Sequence, residues 1–186
     1  MITKYNNNYS SQDIDKLLYG LEGIYLTITK MVVIIGFSIV LNMTKELLLL
    51  LVAFNFLRYP AFGFHANKSI TCLIFSLLVF IGIPAIFLKF GLSDHWMIIF
   101  TIISVLTLAL FAPADTPKRP LTNVKKRRLR KVATILIAAL YVIGIFTINN
   151  STIRIILLLS LIIESIMVSP ITYWLFGQTY NNYKKV

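Results

Sequence analysis

Acidic residues are scarce in this chain of 186 residues: seven Asp and Glu stand against 18 Lys and Arg, and charged side chains of either sign make up only 13%. That shortage excludes an ordinary soluble domain, in which about a quarter of the residues are charged. Cysteine occurs once, at Cys72, which excludes an internal disulfide and leaves either a small buried hydrophobe or a reactive thiol. Histidine occurs twice, as His65 and His95. One thiol and two imidazoles cannot complete a closed zinc ligand set, so no metal is expected. No GxxxxGK[ST] phosphate loop occurs, and no cofactor is expected. No internal repeat is visible. Residues 1–22 lack the short apolar core and small-residue cleavage site of a secretory signal and are expected to stay on the protein.

Apolar residues, at 58%, dominate what is present. A bilayer core needs roughly 20 apolar helical residues per crossing, and the apolar runs fall at 24–43, 47–57, 70–90, 96–112, 132–148 and 153–176. The expected fold is all-α: a polytopic membrane helical bundle of about six segments forming one integral membrane domain over 1–186. The second run is too short for a full crossing, so it borrows flanking residues or re-enters. Pro170 interrupts the last run, which also holds Glu164. Ahead of the first, Ile14, Leu17, Leu18 and Leu21 recur at helical spacing, which predicts an amphipathic helix within residues 1–23 that lies in the interface or packs on the bundle.

The net charge of +11 reports orientation before it reports a partner, and nucleic acid is not expected. Residues 113–131 carry Lys118, Arg119, Lys125, Lys126, Arg127, Arg128, Arg130 and Lys131 against one acid, Asp115. Lys and Arg accumulate in cytoplasmic loops, so this segment is expected to be a cytoplasmic loop. Six crossings then place both termini and the 58–68 connection in the cytoplasm, and leave Lys45, Lys89 and Arg154 on the far side.

Two strings carry mixed chemistry. The first, Arg58-Tyr-Pro-Ala-Phe-Gly63-Phe-His65-Ala-Asn-Lys-Ser69-Ile-Thr-Cys72, gathers a cation, a helix breaker, an imidazole and the sole thiol within fifteen residues. An imidazole can take a thiol's proton near neutral pH, so His65 and Cys72 are candidate partners; equally, the thiol could be a packed hydrophobe and the histidine a solvated loop residue. On one continuous helix the two would stand about 10.5 Å apart along the axis. The pair therefore predicts a helix break between them, with Ser69 as N-cap and Cys72 in the first turn of the next helix, where negative charge is favoured. The second string runs from Phe111 to Pro120 and holds Asp115, Lys118 and Arg119 among three prolines. It reads either as a solvated topology signal or as a docking surface for an acidic peptide.

Together these strings resemble the accessory gene regulator B family of membrane peptidases, which process precursors of cyclic autoinducing peptides in Gram-positive bacteria. Arg58, Gly63, His65 and Cys72 fall at the family's spacing, and the Ala112-Pro-Ala-Asp-Thr and Lys118-Arg-Pro strings recur after the fourth apolar run. One departure is Phe62 before Gly63, where the family pairs two glycines. The resemblance implies a cysteine endopeptidase of the cell membrane with Cys72 as nucleophile and His65 as general base on the cytoplasmic side. It also implies Arg58 and Gly63 as residues needed for activity, a precursor peptide as partner, and a homodimer. Asn67, Asn55, Ser69, Asp115 and Glu164 each remain able to orient the imidazole or supply an oxyanion donor. A small secondary transporter using Glu164 and Arg154, or a non-catalytic membrane scaffold, are the readings from other classes; the peptidase alone requires the sulfur of Cys72.

Overall fold

The computed structural model describes residues 11–64, 69–116 and 120–184. The chain is a bundle of helices: α1 (Ser11–Val40), α2 (Thr44–Ala61), α3 (Ser69–Leu77), α4 (Ile83–Phe90), α5 (Asp94–Phe111), α6 (Val124–Thr147), α7 (Ser151–Val168) and α8 (Pro170–Leu175). Four helical stretches are long and apolar enough to cross a membrane: Ile70–Phe90, Asp94–Phe111, Val124–Thr147 and Ser151–Val168. A shorter apolar stretch, Thr27–Val40, lies within α1. The short second run is extended on both sides into the 18 residues of α2, which carries Lys45, Glu46 and Arg58 toward its ends.

The amphipathic periodicity over 14–21 does not form a separate helix. It continues into the first apolar run as the single 30-residue helix α1, because no proline or capping turn intervenes. The third span is continuous in direction but widens to π geometry over Leu78–Gly82, just ahead of Pro84. Such bulges absorb the backbone mismatch that a proline creates inside a helix. The last run breaks at Ser169, whose side chain caps the Pro170–Leu175 turn by accepting from the Ile171 N–H.

α7 is the central helix. It packs on α2, α5, α6 and α4, and 61% of its apolar window is buried, against 22% in each of the other three spans. Leu158, Leu159, Ser160 and Leu161 are all inaccessible, so the middle of this helix is enclosed, while the outer helices expose Leu, Ile and Val to the bilayer. Small residues permit the close approach: a Cβ at Gly144 of α6 would stand 2.8 Å from Leu157 Cδ1. Polar groups inside the bundle are mostly satisfied locally. Tyr141 of α6 donates to the Ala53 carbonyl of α2 at 2.6 Å, which ties those helices together.

The turns sort to two ends. Leu41, Asn42, Glu46, Lys89 and Thr152 surround one cavity, and Arg154 pairs with Asp94 at 2.7 Å beside it. The end of α2, the start of α3, the segment after α5, and α8 gather at the other end, around Phe64, Ala114 and Tyr173.

Candidate active site

α2 ends at Ala61, before His65, and α3 (Ser69–Leu77) holds Cys72 in its first turn; the expected break between His65 and Cys72 falls on residues 65–68, which lie outside the described residues. Ser69 belongs to α3, and the side chain on which its expected N-cap role depends lies outside the described part. His65, Asn67, Lys118 and Arg119 also fall outside the described residues. Cys72 is free and half-buried.

After Ala61 the chain leaves the helix through Phe62, at φ 62° and ψ −130°, and Gly63, at φ 108°. Phe62 thus occupies a backbone region that favours glycine, the residue expected at this place from the resemblance. Here the aromatic ring is held instead by the Arg130 guanidinium, 4.1 Å from its centroid. Gly63 has no alternative. A Cβ there would lie 2.7 Å from Arg58 Nη1 and 2.8 Å from the Met167 carbonyl oxygen.

Three hydrogen bonds hold this short strip between α7 and the segment after α5. The Gly63 N–H donates to the Ala114 carbonyl at 2.8 Å, Ala114 N–H to the Ala61 carbonyl at 3.0 Å, and Phe64 N–H to the Met167 carbonyl at 2.8 Å. Arg58 reaches forward from α2 to close the turn: Nη2 donates to the Phe64 carbonyl at 2.5 Å and to that of Gly63 at 3.4 Å, and Nη1 faces Glu164 Oε2 at 3.4 Å. With its side chain only 14% exposed, Arg58 holds protein carbonyls rather than standing free for a substrate carboxylate.

An aromatic node joins the two halves of the candidate pair. Phe64 lies 4.5 Å from Phe176 between ring centroids, and Phe75 lies 6.1 Å from the same ring. Phe75 is one turn beyond Cys72 on the same face of α3, and Phe64 directly precedes His65. Phe176 therefore fastens the helix of the thiol to the 62–64 strip. Sequence reasoning missed it, since one Phe at the end of an apolar run carries no signal.

Asp115 is a structural clasp. Its Oδ2 accepts from the Leu121 N–H at 3.2 Å and the Tyr183 N–H at 2.7 Å, and its Oδ1 accepts from the Asn182 N–H at 2.9 Å and Nδ2 at 3.5 Å. Tyr173 Oη donates to the Asp115 carbonyl at 3.0 Å, and Tyr180 Oη to that of Phe111 at 3.1 Å. Burial, with Tyr183 and Asp115 adding to it, pushes the Tyr180 hydroxyl up to about 12, which keeps it a donor at neutral pH.

The basic segment differs from expectation. Residues 113–131 are not one loop: α6 begins at Val124, capped by Asn123 accepting from the Lys126 N–H at 3.1 Å, so six of the eight cations sit on a helix. Lys and Arg are good helix formers, and a cap outweighs their unfavourable placement near an N-terminus. Arg127 stacks on Tyr183 at 3.9 Å and Arg130 donates to the Tyr59 carbonyl at 2.7 Å, whereas Lys125, Lys126 and Arg128 are exposed. A groove of about 550 Å³ opens between α2 and α6, with Phe56 and Leu129 on its walls and Lys126 and Arg130 at its charged end. Arg154, weighed as a coupling group with Glu164, pairs with Asp94 at the opposite end.

No solved structure matches the chain. It is 35% identical over 183 residues to an AgrB-like protein of Clostridium acetobutylicum, covering 97% of this chain and 87% of that one. A Listeria monocytogenes AgrB-like protein is 30% identical over 172 residues (91% and 83% of the two chains). The accessory gene regulator protein B of Staphylococcus epidermidis is 27% identical over 167 residues (90% and 85%). All three organisms are Gram-positive, and the family profile described as accessory gene regulator B matches residues 1–168; the chain belongs to that family.

Proposed function

We propose that this chain is a membrane-embedded cysteine endopeptidase that removes the C-terminal part of a quorum-sensing precursor peptide and promotes closure of a thiolactone or lactone ring. The observation that carries the reading is the fastening of two segments to one ring. Phe176 contacts Phe64, the residue before His65, and Phe75, one turn beyond Cys72.

In this reading the thiol proton of Cys72 passes to His65 as sulfur attacks a backbone carbonyl of the precursor and a C–S bond forms. The peptide C–N bond then breaks, and His65 returns the proton to the departing amine. A Cys or Ser side chain in the retained part attacks the thioester. Its proton moves through His65 to the Cys72 sulfur as the C–S bond breaks and the ring closes. One activated ester is exchanged for another, so no ATP is consumed.

Positive-inside reasoning places the Cys72 end of the bundle and both termini in the cytoplasm. The exposed Lys125, Lys126 and Arg128, beside the groove between α2 and α6, suit an acidic segment of the precursor. A homodimer in the cell membrane is the assembly this reading carries. The test is co-expression with candidate precursors encoded beside this chain, with mass spectrometry for the released C-terminal fragment. The fragment should appear with the unaltered protein and vanish with Cys72→Ala; a fragment that persists with Cys72→Ala removes the mechanism.

A further inference from the structure

The groove of about 550 Å³ between α2 and α6 is charged at one end and apolar along its length. Arg130 Nη1 donates to the Tyr59 carbonyl at 2.7 Å and the Tyr141 hydroxyl to that of Ala53 at 2.6 Å, so the two helices run antiparallel. On the α6 wall Lys126, Arg130, Ala133 and Ile137 recur at steps of four, three and four residues, along one helix face. From Lys126 to Ile137 is about 16 Å along the axis, close to the depth of one leaflet, half of a hydrocarbon core about 30 Å thick. One turn beyond Ile137, the Tyr141 bond draws the helices together past the apolar end.

The charged end has no counter-ion in the chain. Among the described residues the ion pairs are Arg58 with Glu164 and Arg154 with Asp94, so no described carboxylate neutralises Lys126 or Arg130. Arg130 is nevertheless fixed in place: its guanidinium lies 4.1 Å from the Phe62 ring centroid and 5.7 Å from that of Tyr59. Of its five N–H donors, one is engaged among the described residues. An oriented guanidinium with spare donors suits a phosphate. The walls suit hydrocarbon, since Phe56 is 58% exposed and Leu129, set between Arg128 and Arg130, is 71% exposed. Tyr59, also exposed, stands at the charged end, as amphipathic rings do at the headgroup level of a bilayer.

We propose that this groove binds an anionic phospholipid, with its phosphate on Lys126 and Arg130 and one acyl chain along the apolar walls. Positive-inside reasoning puts the charged end in the cytoplasmic leaflet, where anionic lipids attract basic clusters beside membrane helices. At this depth lipid is the solvent, and any other occupant has to displace it. The two cations select an anionic headgroup over a zwitterionic one. An acidic peptide segment would be drawn to the same cations but has no use for about 16 Å of apolar wall below them. Lys125 and Arg128 are exposed, do not line the groove, and stay available to a peptide.

The test titrates the purified full chain, in a neutral detergent, with phosphatidylglycerol, with phosphatidylcholine of the same acyl chains, and with glycerol 3-phosphate. Unfolding temperature and lipid retained in native mass spectrometry are the readouts. Phosphatidylglycerol should raise the unfolding temperature and stay bound at one equivalent per chain; phosphatidylcholine should need about tenfold more for the same shift, and glycerol 3-phosphate should give none. Lys126→Gln with Arg130→Gln should weaken phosphatidylglycerol by about tenfold or more, whereas Lys125→Gln with Arg128→Gln, which removes the same charge away from the groove, should change it by less than about twofold. Ala133→Trp fills the groove and leaves the charge alone. It should weaken the lipid comparably, and it serves where loss of the Arg130 bond to Tyr59 unfolds the double variant. Equal stabilisation by phosphatidylcholine, or equal losses in the two charge-matched variants, overturns the proposal. So does equal protection by glycerol 3-phosphate, which would leave a phosphate site without a lipid chain. Unchanged phosphatidylglycerol binding in Ala133→Trp, with cleavage by that variant needing more precursor, would give the groove to the peptide and overturn the proposal as well.

Discussion

Asp115 and Glu164 are both buried carboxylates, 2% and 0% exposed, but the fold treats them oppositely. Among the described residues Asp115 pairs with no cation; it accepts from three backbone N–H groups and the Asn182 side chain, which joins residues 115, 121 and 182–183. Glu164 has a cation against it and still leaves one oxygen unused. Burial alone therefore does not mark a working group. Residual hydrogen-bonding capacity does, because a group kept only for structure tends to be satisfied completely. The two strings differ in the same sense: the one after α5 is a brace, and the one after α2 carries the residues proposed to react.

Breaking Asp115 should produce the largest loss of stability. Asp115→Ala strands three backbone donors and should cost on the order of 3 kcal/mol, read as a drop in unfolding temperature in detergent and as new protease sensitivity beyond Phe176. Asp115→Asn, which keeps one acceptor oxygen, should cost about half as much. The Arg58→Met and Glu164→Met pair should cost far less. The reverse ranking would mean that Glu164 is the structural carboxylate and that the contrast is mistaken.

Gly63→Ala comes next. Its Cβ meets both Arg58 Nη1 and the Met167 carbonyl, at a φ that disfavours a side chain, so about 2–3 kcal/mol should be lost. Neither neighbour is free to move: one is backbone and the other holds Phe64. Thermal unfolding measures the loss, and a Gly63→Ala protein as stable as the original would show that the strip can shift without consequence.

How much of this was legible beforehand follows the range of each interaction. The run 70–90 and the break at Pro170 were visible because hydropathy and proline act locally. The start of α6 at Val124 was not, since a dense run of cations reads as solvated loop when the Asn123 cap is overlooked. The merging of the 14–21 periodicity into α1 was missed because periodicity shows where helix forms but not where it stops. Arg58 and Glu164 are 106 residues apart in sequence, and no spacing rule connects them. The described partners of Asp115 are three backbone N–H groups and the Asn182 side chain, which composition cannot reveal.

Phe62 sharpens the comparison at smaller scale. It holds a positive-φ backbone that favours glycine, and its ring is covered by Arg130. Phe62→Ala keeps the strain and loses the stacking, whereas Phe62→Gly loses both. The glycine variant should therefore be the more stable of the two by about 1 kcal/mol, against the usual order of the two residues. Equal unfolding temperatures for the two variants would show that the backbone at this position is relaxed.

The smallest effect on the fold, with an effect on substrate, is expected at the start of α6. Lys125, Lys126 and Arg128 are exposed, while Arg127 and Arg130 are committed to Tyr183 and to the Tyr59 carbonyl. Changing the three exposed cations to Glu should leave stability within about 0.5 kcal/mol, since negative charge in the first helical turn suits the helix dipole. Arg130→Glu should cost more, because it removes a made contact. If an acidic segment of the precursor docks on the exposed cations, the triple variant needs more precursor for half-maximal cleavage at low salt, and raising the salt closes the gap. Cleavage titrations at two ionic strengths, with membrane orientation verified by accessibility labelling, decide the matter. An unchanged precursor requirement at low salt would leave these cations as a topology signal alone, and would shift the search for the docking surface to the apolar walls of the groove.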